Sequence, residues 1–274
     1  MKNWLITGVS SGIGLALAKE VLASGDKVVG TVRSEKDKEA FQSLHAENAF
    51  GIILDVTDSD KIPGAILEAE ACTGGLDVLV NNAGFGLIGA VEEVSLEELR
   101  RVFDVNFFGA FSVTQAVLPK MRERQSGQIV NVTSVSGLAP WAGSAAYGAS
   151  KYALECLGQT LAQEVAEFGI KVTNIEPGAI ETDFGKRSLV TAERQVDAYI
   201  GTVTELPRKV LADTSSYGGD PAKAAKAIVK ALGAETPPTH LLLGEDAVYY
   251  AGEQLNTFIR DMTKWMPVTM SIKK

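Results

Sequence analysis

Histidine is nearly missing from this chain: among 274 residues only His45 and His240 occur. Neither stands beside a plausible nucleophile or at a metal-ligand spacing, so no metal site and no serine-histidine-acid triad is expected, and both histidines read as structural. Cysteine is as scarce. Cys72 and Cys156 are the only two and fall in separate helical stretches, so no disulfide framework follows and a reducing cytoplasm fits. Basic charge is outnumbered, with 26 Lys and Arg against 34 Asp and Glu for a net charge of -8. That balance favours solubility and offers no positive footprint for a phosphate backbone, so nucleic acid is not an expected partner. No apolar run reaches the ~18 residues that would suggest a transmembrane segment. The run Trp4–Ile6 lies so close to Met1, and so directly before a glycine motif, that a signal peptide has no room. Internal repeats, coiled-coil heptads and low-complexity tracts are not evident. What remains is a cytosolic globular chain, 46% hydrophobic and 22% charged, able to bury a substantial core.

Short apolar runs alternate with amphipathic ones up to about residue 180, the pattern of repeated βαβ units. Strands are predicted at 3–7, 27–32, 50–55, 78–81, 128–132, 171–175 and 240–243. Helices are predicted at 12–24, 35–45, 58–72, 96–124, 144–168, 221–232 and 247–265. Right-handed crossovers would wind these into one α/β domain over residues 1–274, a doubly wound Rossmann-type parallel sheet of about seven strands with helices on both faces. Residues 181–219 break the rhythm. They mix apolar and charged side chains before a flexible Thr-Ser-Ser-Tyr-Gly-Gly, which suits a substrate lid or an insertion that merely packs on the core.

The first strand runs into Thr7-Gly8-Val9-Ser10-Ser11-Gly12-Ile13-Gly14 and then a helix. Gly8 suits the turn, Gly12 admits a pyrophosphate to the backbone, and Gly14 lets the helix lie close to the strand. Amides at the helix start would receive phosphate charge. The second strand ends in Thr31-Val32-Arg33-Ser34 without a carboxylate for a free ribose hydroxyl. Arg33 can pair instead with a ribose phosphate, assisted by Ser10, Ser11 and Ser34, which points to NADP(H), unless Arg33 is only a surface charge. Asp55 is either an acceptor for the adenine amino group or the cap of the next turn.

Tyr147 and Lys151 stand four apart on one face of a predicted helix, where an ammonium can favour ionisation of the phenol. Ser134 ends the fifth strand, on the side where open α/β sheets bind ligands. Apolar pocket candidates are Phe85, Leu87, Ile88, Leu138 and Trp141, each of which is alternatively core. Leu154, Leu157 and Leu161 on the Tyr147 helix either mediate association or pack on the sheet.

These residues, with Asn81-Asn82-Ala83-Gly84, Asn106, Pro177-Gly178 and Thr182, resemble the classical short-chain dehydrogenase/reductase family over nearly the whole chain. The resemblance implies that Tyr147 is the acid-base group, that Ser134 orients the substrate oxygen, and that Lys151 binds the nicotinamide ribose and lowers the tyrosine pKa. Asn106 would hold a water linking Lys151 to solvent. Beyond the glycine turn and Arg33, cofactor contacts are expected from Asp55, Val56, Asn82, Ala83 and Gly84, and from Pro177, Gly178, Ile180 and Thr182 around the nicotinamide amide. The strand end at Thr31-Val32-Arg33 and the long C-terminal portion are similar to the hydroxysteroid and retinol dehydrogenase branch. The expected activity is therefore reduction of a bulky hydrophobic ketone or aldehyde by a homodimer or homotetramer. The alternative is an NADP(H)-binding module that senses redox state for a protein partner.

Overall fold

The computed structural model describes residues 1–203 and 218–273. Seven strands form a wholly parallel sheet: β1 (Asn3–Thr7), β2 (Lys27–Val32), β3 (Ala49–Ile53), β4 (Val78–Asn81), β6 (Gly127–Val132), β7 (Ile170–Pro177) and β9 (His240–Leu243), in the order β3-β2-β1-β4-β6-β7-β9. The predicted sheet is present, with strand ends moved by a residue or two. Asp55 lies beyond β3 rather than within it, and Pro177 closes β7.

Alternation along β1 shows how the sheet acquires two buried faces. Trp4 and Ile6 join one apolar cluster with α1 (Gly12–Ala23), Phe41 of α2 (Glu35–Gln42) and α7 (Pro221–Leu232). Leu5, between them, joins the opposite cluster with α3 (Ile62–Thr73), α5 (Ala110–Arg124) and Leu161 of α6 (Ala145–Glu164). Leu154 is buried as well. Leu154 and Leu161 are thus spent inside the protomer, which removes them from the association surface considered above.

A row of side-chain amides crosses the second face. Asn81 on β4 donates to Asn131 on β6 at 3.0 Å, and Asn131 donates to Asn174 on β7 at 3.0 Å. The row is anchored at one end by Thr114 of α5, 2.9 Å from Asn81, and at the other by Glu155 of α6, whose carboxylate accepts from Asn174 at 2.6 Å. The strand pairing places Asn81 opposite Asn131 and Asn131 opposite Asn174. Gly158 of α6 gives Asn174 its space, since a Cβ there would strike the amide.

The predicted helix at 96–124 is interrupted. After α4 (Leu96–Phe103) the chain makes a π turn over Asp104–Gly109 before α5 resumes. Gly109 packs against Val56, where a Cβ would come within 2.7 Å of the valine methyl. Two short strands were also unforeseen: β5 (Gly86–Ile88) pairs in parallel with β8 (Leu189–Thr191). Part of the 181–219 segment is therefore pinned to the body, while its residues 204–217 lie outside those described. The last helix, α8 (Glu245–Met270), is longer than predicted. Among the described residues, no helix is long and apolar enough to cross a membrane.

Candidate active site

The glycine turn is held from both sides. Gly8 adopts φ +74°, and its amide, like that of Val9, donates to the Thr31 carbonyl at 3.1 Å. From β4, the Asn82 side chain donates to the carbonyls of Thr7 (2.8 Å) and Gly8 (2.9 Å), while the amides of Asn82 and Ala83 donate to the Thr7 hydroxyl. Gly14 must lack a side chain because a Cβ would run into Asn82 and the Gly8 carbonyl. Gly12, at φ +62°, faces open space, with only the Thr182 side chain 4.0 Å from where a Cβ would sit. A crevice therefore lies between the start of α1 and Thr182, bordered by the small Ser10 and Ser11. Ile13 packs on the core below, and Ile180 is buried in the same cluster. Val56 is also buried among apolar side chains, so its side chain does not line the crevice.

Arg33 is exposed just after β2. Its charge helps hold the Asp55 carboxyl below the usual range; burial acts the other way, and the Thr57 amide and hydroxyl, 3.0 and 2.8 Å away, outweigh it. Asp55 thus does cap the following turn. Ser34 caps α2 and donates to Asp37 at 2.7 Å, so its hydroxyl is already committed.

The other end of the crevice brings the remaining candidates together. Ser134 follows β6, and its hydroxyl accepts from the Ser136 amide at 3.1 Å. The Tyr147 phenol is hydrogen-bonded to Ser134; burial pushes its pKa up to about 12, with that hydrogen bond opposing the rise. Lys151 lies one turn along α6. Its ammonium donates to the Val132 carbonyl at 2.8 Å and sits 5.8 Å from the centre of the tyrosine ring. Burial pulls Lys151 down to about 8, against the pull of Glu155. Desolvation dominates both groups, and the lysine is tethered to β6.

Asn106 sits in the π turn. Its amide donates to the Phe85 carbonyl at 2.9 Å and the Ser150 hydroxyl at 3.0 Å, and its carbonyl accepts from the Phe85 amide at 3.0 Å. Gly84 separates it from Lys151: a Cβ there would lie 3.1 Å from Asn106 Oδ1 and 3.4 Å from Lys151 Nζ. The missing side chain leaves a polar gap between the two residues. Gly178, after Pro177, donates to the Leu243 carbonyl at 2.9 Å, and Asp246 fixes the next amide at 2.7 Å. From the 181–219 segment, Phe184 places its ring 6.1 Å from that of Tyr147. Of the pocket candidates, Leu87 belongs to a core cluster with Val102 and Ala146, whereas Trp141 is half-buried and meets Tyr250 edge-on.

A sequence profile described as short chain dehydrogenase matches residues 2–193. The chain belongs to the short-chain dehydrogenase family. It is 38% identical to retinol dehydrogenase 8 of Homo sapiens over 85% of this chain and 78% of that protein. The crystal structure of a short-chain dehydrogenase from Streptomyces avermitilis superposes with a TM-score of 0.93 at 44% identity, covering 98% of both chains. ElxO with NADP bound superposes at 0.74 with 27% identity, over 91% of this chain and all of that one. This short-chain dehydrogenase is accordingly an oxidoreductase of a family that transfers hydride with a nicotinamide cofactor.

One cluster went unseen in the sequence because its members come from three elements. His240 on β9 bonds to Glu176 on β7 at 2.6 Å and lies 3.8 Å from Glu155 on α6. The nearest donor atoms of the three fall within 4.8 Å of one another, so His240 does stand in a ligand-type grouping. The 2.6 Å contact is shorter than the roughly 3.3 Å that separates two donors sharing a tetrahedral zinc, so the pair as it stands is a direct hydrogen bond. His45, by contrast, accepts from the amides of Glu47 and Asn48 in a surface turn. Burial, with repulsion from Glu155 added and the His240 contact opposing, pushes Glu176 up to about 7. A carboxyl with a raised folded-state pKa stabilises fully below its ordinary value of 4.5, and that share is lost as pH rises through about 7. Glu176→Gln removes this titration. Its denaturation midpoint should gain on wild type between about pH 5 and pH 8, by roughly 1–3 kcal/mol; a gap independent of pH would show that Glu176 titrates as it does in open water.

Proposed function

We propose that this short-chain dehydrogenase is an NADP(H)-dependent reductase of a bulky hydrophobic ketone or aldehyde. The observation that carries the reading is the Ser134–Tyr147 hydrogen bond at the end of β6, beside Lys151 and at the far end of the glycine crevice. The residues fit a dinucleotide: Gly12 offers backbone with no Cβ in the way, α1 opens directly onto it, and Gly84 leaves a gap beside Lys151.

When bound, the reduced nicotinamide supplies hydride to the carbonyl carbon. Ser134 orients the carbonyl oxygen. Tyr147, neutral with a pKa of about 12, donates its phenolic proton to that oxygen as the alcohol forms. Lys151, a cation below about pH 8, offsets the negative charge left on the phenol and would contact the nicotinamide ribose. Asn106 fixes the π turn against Phe85 and Ser150 and borders the gap beside Lys151, a place for a water that connects the lysine to solvent. Ser10, Ser11, Ile13 and Gly14 would hold the pyrophosphate through the backbone of the turn, Asp55 and the backbone of Val56 would stand beside the adenine, Asn82 and Ala83 brace the turn from below, and Pro177, Gly178, Ile180 and Thr182 would hold the nicotinamide amide. Apolar Phe184, Leu138 and Trp141 favour a lipophilic substrate, as does the likeness to retinol dehydrogenase 8. Arg33 supports the choice of NADP(H), as does the likeness to ElxO.

Tyr147→Phe should lower NADPH-dependent turnover of a reducible ketone or aldehyde by at least about 100-fold while NADPH still binds. Wild-type turnover should fall as pH rises through about 8, where Lys151 loses its charge; undiminished turnover in Tyr147→Phe would overturn the assignment. Arg33→Asp should shift the ratio of NADPH to NADH affinities by about tenfold or more toward NADH, since one charge-assisted hydrogen bond is worth that much. An unchanged ratio in equilibrium titrations would make Arg33 an ordinary surface charge.

A further inference from the structure

Apolar burial does little to hold the segment that brings Phe184 to Tyr147. Over residues 181–203 only Ala192 is buried. The ladder that the segment forms, β8 against β5, joins two strands of three residues each, and a two-stranded pairing is marginal by itself in water. Yet the Phe184 ring stands 6.1 Å from that of Tyr147, so another contact must fix the chain there.

Glu93, between β5 and α4, supplies it. The residue is 4% exposed, and its two carboxylate oxygens face backbone on two sides. Oε2 accepts from the Ala90 amide at 2.8 Å, and Oε1 accepts from the Val196 amide at 3.0 Å, 103 residues along the chain. A carboxylate accepts at both oxygens, whereas a glutamine would turn an NH2 group toward one of the two amides. Glu98 repeats the device nearer solvent: Oε2 accepts from the Ser95 amide at 2.8 Å and Oε1 from the Glu193 amide at 2.9 Å. Glu92 adds exposed contacts to Tyr199 at 3.1 Å and Arg194 at 3.9 Å, of a kind that contributes little. Two glycines make room for the chain so held. A Cβ at Gly89 would lie 2.7 Å from that of Ala192, and one at Gly86 would lie 2.7 Å from Leu189 Cδ1 and 3.0 Å from Phe184 Cζ.

We propose that Glu93 is a positioning residue for the substrate: by fastening the chain just past β8 it keeps β8 in register on β5 and sets the place of Phe184 beside the Tyr147 phenol. The proposal rests on the reading of Tyr147 as the group that meets the substrate carbonyl. Because both Glu93 oxygens are taken up by amides, Glu93 acts through the segment. Its influence is therefore confined to substrates large enough to reach Phe184.

Acetylnaphthalene and acetone, each with NADPH, separate the two sizes. Glu93→Gln should raise KM for acetylnaphthalene by about tenfold or more, the worth of one hydrogen bond to a charged group, while kcat and the kcat/KM for acetone change by less than about threefold. Phe184→Ala should raise the same KM, and adding Glu93→Gln to it should cost little more, because both act through one ring. In Glu93→Gln the Val196 amide hydrogen should also exchange about tenfold faster or more. Should that variant fail to fold, Glu98→Ala releases the Glu193 amide from a less buried position and should move KM for acetylnaphthalene in the same direction. Unchanged exchange at Val196, equal losses for both ketones, or effects of Glu93→Gln and Phe184→Ala that simply add would overturn the proposal. Undiminished turnover of acetylnaphthalene by Tyr147→Phe would instead sink the reading of Tyr147, and a wild type that reduces neither ketone would sink both.

Discussion

The buried amide row Asn81–Asn131–Asn174 is the constraint on which the rest of the molecule rests. A side-chain amide taken out of water without a partner costs several kcal/mol, and here the amide nitrogens of Asn81 and Asn131 donate to the asparagine on the next strand and that of Asn174 to Glu155, while Asn81 Oδ1 alone in the row has no partner among the described residues. Parallel strands packed on both faces would otherwise be located only by apolar side chains, which tolerate sliding. A slip of one residue in β6 would break both links and turn the asparagine to the wrong face. Because β4, β6 and β7 are locked in this way, the residues just beyond them stand at fixed heights: Asn82 under the glycine turn, Ser134 against Tyr147, and Gly178 beside Leu243. The site's precision derives from a polar network whose contacts join residues up to 50 apart in sequence.

The same network reaches into the charged cluster behind the site. Asn174 bonds to Glu155, Glu155 lies beside Glu176, and Glu155 also acts on Lys151, four residues back along α6. Burial raises the carboxyls and lowers the lysine, so the region suppresses net charge throughout. In the proposed chemistry that leaves Tyr147 as a donor that keeps its proton until a substrate oxygen takes it.

How far the sequence revealed these features depended on whether the signal was local. The glycine turn shows in Gly8, Gly12 and Gly14 because each answers to its own φ or to a nearby close approach. Tyr147 and Lys151 show because helical spacing puts them on one face. The seven strands show because each is a short apolar run. The π turn at Asp104–Gly109 did not, since an α and a π turn share almost the same apolar spacing over six residues. β5 and β8 are three residues each and exist only by pairing across 100 residues of chain. Glu155, Glu176 and His240 meet only through the strand order.

The π turn also fixes an angle. Each residue of an α-helix rotates the chain by about 100°, and a π turn accommodates one residue more than an α turn over the same rise. Deleting one residue between Asp104 and Gly109 would let α4 and α5 fuse into a single regular helix. It would also swing Leu96–Phe103 through nearly a third of a revolution about that axis. Val102 would leave Leu87 and Ala146, and Asn106 would point away from Phe85 and Ser150. The surplus residue thus acts as the phase setting between two halves of one rod, with the helix core on one side of it and the floor of the active site on the other.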